Sequence, residues 1–152
     1  VDLSTDLKHL SPLVRSLLRG YDVAIGTRNA RASRVYGRSP LRTFTSKTYI
    51  FLIKLIFFIR FSDAQCGFKA ITDRCAKTLM PNIDDNAWFF DTELLILAEK
   101  LGYRIYEEAV TWIDNPGSTV RVVKTAQGDL VGLWRLFLKR PWRALRGKYG
   151  RY

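Results

Sequence analysis

Asp63-Ala64-Gln65-Cys66-Gly67-Phe68-Lys69 places a carboxylate, an amide, a thiol, a glycine and an ammonium in one short heptad. An apolar segment precedes it, and Phe68 to Ile71 reads as a strand. Gly67 lets the backbone turn, or approach a ligand, without a Cβ in the way. Asp63 and Lys69 then send polar groups toward one pocket from a short piece of chain. A surface loop that merely enters a strand accounts for the same residues, since loops carry structural and functional side chains alike. The surrounding chain decides between the two.

Upstream of the heptad, Leu41 to Phe61 reads as a helix. Its runs Tyr49-Ile50-Phe51-Leu52-Ile53 and Leu55-Ile56-Phe57-Phe58-Ile59 are interrupted only by Lys54. They are too short to span a bilayer. Two placements stay open: a buried core helix, or an interfacial helix in the headgroup region with Lys47, Lys54 and Arg60 snorkelling. Asn29 to Pro40 is an arginine-rich loop. Before it, Asp22 to Ile25 is a short buried strand ending at Gly26, an order that delivers Arg28 at the carboxyl end of a sheet strand. Ser11-Pro12 reads as an N-cap with proline at the first helical position. Leu13, Val14, Leu17 and Leu18 give that helix its apolar face, and Gly20 closes it.

Downstream, Thr72-Asp73 caps a helix running to Met80, where Pro81 stops it. Asp91 to Leu101 is a helix ended by Gly102, and Tyr103 to Tyr106 and Ala109 to Ile113 are strand segments. Asp114-Asn115-Pro116-Gly117-Ser118 is a turn by composition. Gln127 to Arg140 is amphipathic, with Leu130, Leu133, Trp134 and Phe137 on one side. Pro141 breaks it, and Trp142 to Tyr152 is a basic, aromatic tail. The chain contains no internal repeat.

With 152 residues and 47% apolar content, one globular domain is the default. The chain opens on Val1-Asp2 rather than Met, which suggests a fragment or a processed chain. The net charge of +11 is segregated. No acid lies between Val23 and Ser62, or beyond Arg135, while Asp63 to Asp114 holds most of the 14 carboxylates. Two basic blocks around an acidic middle point to anionic partners: phosphates, anionic lipid heads or nucleic acid. Cys66 and Cys75 make no disulfide scaffold, and one His with no CxxC pair leaves no usual zinc site. Both thiols read as small, buried and reduced, which suits a cytosolic active face. His9 reads as a structural or surface residue rather than a catalytic one.

Asp-x-Gln-Cys-Gly-Phe-Lys, followed by Phe90-Asp91-Thr92-Glu93-Leu94-Leu95, resembles the second half of a family 2 glycosyltransferase. The nearest branch is the dolichyl-phosphate glucosyltransferase and polyprenyl-phosphate sugar synthase group. Asp2-Leu3-Ser4, Gly26-Thr27-Arg28 and Pro116-Gly117-Ser118 match in the same order. The resemblance implies an α/β fold, a partial GT-A (nucleotide-diphospho-sugar transferase) domain with a mixed sheet flanked by helices. Residues 1–135 would be its carboxyl-terminal part, without the nucleotide-binding half, and 136–152 a basic, aromatic membrane-proximal tail.

The same resemblance implies transfer of a hexose, glucose above others, from a nucleotide sugar of the UDP-glucose or GDP-mannose type. The acceptor would be dolichyl or another polyprenyl phosphate at the cytoplasmic face of an anionic membrane, and this piece by itself would be inactive. Asp2 matches the second acid of a DxD motif and would bind Mg2+ or Mn2+. Arg28, Arg42 and Ser46 match phosphate-clamping positions; arginine's planar fork suits phosphate, and a residue four places after Arg42 faces the same way on a helix. Asp63, Gln65 and Lys69 would line the sugar and diphosphate site. Asp91 either orients the acceptor or is a helix N-terminal carboxylate stabilised by the dipole. Gly117 and Ser118 resemble the family's Gly-Ser-Lys acceptor turn, but Thr119 replaces the lysine, leaving Arg121 or Lys124 as the substitute cation. The rival readings are a non-catalytic basic membrane-surface module and a nucleic-acid-binding domain. Acidic pocket residues and the lack of a nucleic-acid motif argue against the second, so no nucleic-acid partner is expected.

Overall fold

The computed structural model describes residues 4–114 and 122–149. Val23–Thr27 (β1) is the middle strand of a three-stranded sheet and is buried along its whole length. A central strand covered on both faces reads as a continuous run of apolar and small residues. Lys69–Ile71 (β3) pairs antiparallel to β1, with Ile25 opposite Lys69, while Ile105–Ala109 (β4) pairs parallel on the other side. Arg34–Tyr36 (β2) and Thr111–Ile113 (β5) form a separate parallel ladder. Val110 joins the two: its N–H donates to the Thr27 carbonyl, and its own carbonyl accepts from the Arg34 N–H. Gly26 makes the join possible, since a Cβ there would lie 2.9 Å from Val110 Cγ1 and 3.2 Å from Cys66 Sγ. The mixed sheet flanked by helices is the α/β arrangement expected of part of a GT-A domain.

Phe90–Lys100 (α4) buries every residue from Thr92 to Ala98. Leu94 to Ala98 are apolar on every side of the helix, which puts this part of α4 in the core. Asp73–Leu79 (α3) packs on it, capped by Thr72 Oγ1 as its sequence predicts. Leu10–Leu18 (α1) differs from expectation at its start. Asp6 caps a preceding 3-10 turn (Leu7–His9), so Ser11 lies inside the helix and its Oγ accepts from Arg15. The helix buries Leu13 and Ser16, whereas Val14 and Leu18 stay exposed, because the side packed on β1 holds position 16 and not 14 or 18. His9 is structural: Nε2 accepts from the Thr111 N–H, which leaves the proton on Nδ1, facing Glu108.

Pro40–Phe57 (α2) begins at the Ser39 N-cap and stops four residues short of the predicted Phe61. Phe58 adopts a left-handed conformation (φ 52°) without being glycine, and its N–H closes on the Lys54 carbonyl. Ile59 and Phe61 then turn into the core. Of the two placements, α2 takes neither outright. Ile53 and Phe57 are buried, while Leu41, Phe44, Phe51, Leu55 and Phe58 form an exposed stripe at helical spacing.

Val122–Lys139 (α5) buries Asp129, Gly132, Leu133 and Leu136. The predicted apolar side is rotated by this finding, since Leu130 and Trp134 are mostly exposed and Phe137 is half-buried. Trp142–Tyr149 (α6) follows a turn at Arg140, and the expected division at 135/136 falls inside α5. Trp142 joins the core against the Phe57 ring, 5.9 Å away centre to centre.

Two glycines of α5 test this packing with opposite signs. A Cβ at Gly132 would sit 2.5 Å from the Phe89 ring, while one at Gly128 would meet nothing within 4 Å. Gly132→Ala should therefore cost about 1–3 kcal/mol of stability through overpacking, outweighing the helix-propensity gain. Gly128→Ala should stabilise by up to about 1 kcal/mol. Denaturant unfolding of both variants checks the pair of signs.

Candidate active site

A cavity of about 660 Å³ opens at the carboxyl end of β1, where α/β sheets place their ligands. Arg28, Arg42, Ser46, Gln65, Lys69 and Asp91 all line it, so the structure brings these predicted positions together. Arg42 and Ser46 come one helical turn apart on α2, as their spacing implies.

Asp63 does not line the cavity. Its carboxylate is 2% exposed and accepts the Arg28 N–H at 3.0 Å, Arg28 Nε at 2.8 Å and Arg28 Nη2 at 2.9 Å. The Gln65 N–H adds a fourth donor at 3.1 Å. Burial pushes the Asp63 carboxyl up, but the hydrogen bonds and charge of Arg28 outweigh it and hold the group below the usual range. Asp63 is a positioning residue: it fixes Arg28, which also lies over the Trp112 ring at 5.0 Å, with the rest of its donor fork left for the cavity. Thr27 and Asn29 bracket this pair. Thr27 Oγ1 meets Ser62 Oγ at 2.7 Å, Asn29 Nδ2 donates to the Ser62 carbonyl, and Ser62 is held by Glu107 of β4.

Lys69 donates to the Cys66 carbonyl at 2.6 Å and ion-pairs with Asp91 at 2.8 Å. Asp91 occupies the first turn of α4, beside the Lys69 ammonium. Its neighbour Glu93 is buried and structural, accepting from the Asp85 N–H and from Arg135 of α5. Gly67 lines the cavity with no left-handed φ, and a Cβ added there would meet nothing within 4 Å. Its freedom is therefore not used for a turn; it leaves space on the cavity side. Burial pushes the Cys66 thiol up to about 11, so that group is an inert filler.

Two further polar residues on the wall escaped the sequence reading as site candidates. Arg38 has no hydrogen-bond or ion-pair partner among the described residues, and burial lowers its pKa, assisted by Arg28 and Arg42. Its only signal was membership of the acid-free block. Asp129 of α5 accepts from Gln65 Nε2 at 2.7 Å, while its other oxygen is buried without a partner among the described residues. Burial raises its carboxyl to about 6, against the pull of the Gln65 bond. Its spacing to Leu133 and Leu136, four and seven residues further on, was the signal for it. Asp114 closes the wall by pairing with Arg42 at 2.9 Å.

Asp2, Gly117, Ser118 and Arg121 lie outside the described residues. Among the described residues no group of three or more His, Cys, Asp or Glu side chains could hold a metal ion. Asp91, Asp114 and Asp129 are each engaged by Lys69, Arg42 and Gln65, so they do not fit a divalent-cation site.

No family model matches the chain. It is 35% identical over 143 residues to glycosyltransferase AglD of Haloferax volcanii, covering 93% of this chain and 22% of that protein. To the dolichyl-phosphate beta-glucosyltransferase of Drosophila melanogaster it is 33% identical over 145 residues, covering 93% and 43%. To the Saccharomyces cerevisiae protein of the same name it is 34% identical over 122 residues, covering 76% and 32%. The chain thus spans less than half the length of these relatives.

Asp63 and Asp129 should respond to acid in opposite ways. Asp63 is depressed, so its contribution is present above the unfolded value of 3.8 and is lost only as pH falls through its lower folded value. Asp63→Ala, which strands a buried guanidinium, should cost about 3–5 kcal/mol at pH 7. Asp129 is raised to about 6, so its charge destabilises the fold above that pH, and the penalty disappears as pH falls toward 3.8. Asp129→Asn should raise the Tm at pH 8 and leave it unchanged below pH 4. Thermal melts of each variant across pH 3 to 8 read both effects.

Proposed function

We propose that this chain, a member of the family 2 glycosyltransferases over the stretch it shares with these relatives, builds the acceptor-phosphate and sugar wall of a hexosyltransferase. The reaction read here moves a hexose, glucose by the names of the relatives, from a nucleotide-diphosphate sugar of the UDP-glucose or GDP-mannose type. The acceptor is dolichyl or another polyprenyl phosphate. One observation carries the reading. Helix α2 turns Arg42 and Ser46 into the cavity beside Arg28 and Arg38, and presents a stripe of exposed apolar side chains elsewhere on its surface. A ligand that suits both has a phosphate at one end and a hydrocarbon at the other.

The chemistry follows from the charges. A phosphate monoester loses its second proton near pH 6, so at neutral pH it arrives as a nucleophile without needing a base. Its oxygen attacks the anomeric carbon and forms the new C–O bond. The bond to the diphosphate breaks, and its electron pair leaves on the diphosphate oxygen, so no net proton transfer is required. Arg28, Arg38 and Arg42 hold the acceptor phosphate against the repulsion of the donor. Asp91, paired with Lys69, orients groups near the reacting carbon rather than acting as a free base. The reading assigns Mg2+ or Mn2+ to Asp2, where it would neutralise the leaving diphosphate. Gly117, Ser118 and Arg121 are the acceptor-side loop in the same reading.

The membrane part rests on two stripes. Leu41, Phe44, Phe51, Leu55 and Phe58 of α2, and Leu130, Val131, Trp134 and Leu138 of α5, are all exposed. No helix among the described residues is long and apolar enough to cross a membrane. Lys47, Lys54, Arg60, Lys139, Arg143 and Arg146 supply exposed cations for an anionic, cytoplasmic-face surface.

Arg38→Ala tests the phosphate wall most cleanly, because Arg38 supports no other described side chain. Its loss should leave the Tm within about 1 °C, as for a surface change. It should lower kcat/KM for a short polyprenyl phosphate roughly tenfold or more, the worth of a charged hydrogen bond. Arg42→Lys, which keeps charge but loses the fork, should lower transfer as well. Wild-type kinetics in both variants would remove the assignment. Separately, co-sedimentation with vesicles should rise with anionic lipid content and fall with salt, and Phe51→Ser with Leu55→Ser should weaken it.

A further inference from the structure

The Gln65–Asp129 pair is left over once the phosphate wall has been described. Asp129 is buried to 3% exposure, lines the cavity, and offers one oxygen to Gln65 Nε2 while the other has no partner among the described residues. A buried carboxylate oxygen without a donor is costly and rare in folded proteins. Here the cost falls on a wall of the candidate site, not in the sealed core.

The surroundings restrict what the missing donor can be. A phosphate is excluded, because Asp129 already feels the like charge of Asp85 and would repel a further anion. A metal ion is disfavoured, since Gln65 supplies only an N–H toward this carboxylate and no third ligand gathers among the described residues. No Lys or Arg among the described residues ion-pairs with it. A neutral O–H donor satisfies the oxygen without adding charge, and a charge-assisted bond of that kind is short and strong. The connection to the opposite wall is short. Gln65 N–H donates to the same Asp63 carboxylate that fixes Arg28, so a single residue links the cationic wall to this acidic notch.

We infer that Asp129, held by Gln65, accepts a hydrogen bond from a hydroxyl group of the transferred hexose and so takes part in choosing the sugar. The inference rests on the hexosyl-transfer reading and deepens it. Asp129 is a binding residue, and Gln65 positions it. A site built to bond a substrate hydroxyl rejects the analogue that lacks it, because the buried acceptor is again left unpaired.

The experiment uses the complete gene product, the parent nucleotide sugar and its monodeoxy analogues, with kcat/KM measured for wild type, Asp129→Asn and Gln65→Met. Wild type should disfavour one of the deoxy sugars strongly. Asp129→Asn should lower kcat/KM for the parent sugar roughly tenfold to a hundredfold, and leave that one deoxy sugar within about twofold of wild type. The KM for the lipid phosphate should not change, and a Tm at pH 8 no lower than wild type's excludes misfolding. Gln65→Met should weaken the same discrimination. An equal loss on every sugar overturns the inference, as does no loss at all, the result expected if a buried water satisfies the oxygen. Transfer by wild type with either of those results leaves the hexosyl-transfer reading standing. No transfer of any hexose by wild type overturns both.

Discussion

Asp63 and Arg28 share a buried ion pair that also uses the backbone of both partners' neighbourhoods. A carboxylate at 2% exposure carries a desolvation cost of several kcal/mol, which only dense hydrogen bonding offsets. Four N–H groups provide it, three from Arg28 and one from Gln65. The geometric consequence is that the end of β1 and the start of the Asp63 heptad cannot move independently. Ser62, the residue before the pair, is tied to Thr27 on one side and to Glu107 on the other. Three chain segments therefore meet at one polar junction, and the cavity floor is stiff where Arg28 emerges from it.

That junction explains which parts of the site were legible. The heptad's residue types predict a polar pocket, and Gln65 and Lys69 do reach one. The sequence cannot distinguish a carboxylate facing ligand from one beneath an arginine, because both need an acid within reach of the same loop. Asp63 took the second role once Arg28 arrived from β1, a partner 35 positions away in the chain. The face of α5 was misjudged for a related reason. Its buried positions run 129, 132, 133 and 136, a good helical spacing, but they include Asp129 and Gly132, which hydrophobicity counts as outward. Gly132 is inside because Phe89 fills the space of its missing side chain, and Asp129 is buried on the wall of the cavity beside Gln65. The end of α2 was hidden by an unbroken apolar run. Nothing in Phe57-Phe58-Ile59 marks a left-handed cap, which elsewhere is the place for glycine.

The glycines separate what the fold requires from what a ligand requires. Gly26 and Gly132 are fixed by neighbours within the chain, at distances where a methyl group cannot fit. Gly67 has neither crowding nor a left-handed backbone to explain it, yet it stands on the cavity wall between Cys66 and Phe68. Of the two uses first open to it, tight turning is removed, and backbone access to a bound molecule is the one that remains.

The charged groups around the cavity nearly cancel, and the exceptions are informative. Arg28 is matched by Asp63, Arg42 by Asp114 and Lys69 by Asp91, at 2.8 to 2.9 Å in each case. Among the described residues, the wall's Arg38 and Asp129 are in ion-pair contact with no opposite charge. Burial disfavours the charged form of both, lowering the guanidinium's pKa and raising the carboxyl's. The fold gives Asp129 to Gln65, and among the described residues Arg38 has no hydrogen-bond or ion-pair partner. Holding a cation and an anion apart in one cavity costs stability, and a ligand carrying an anion at one end and hydroxyl groups at the other relieves that cost on binding. The polarity of the cavity therefore suits the ligand of the proposed reaction, with an anion at one end and hydroxyl groups at the other.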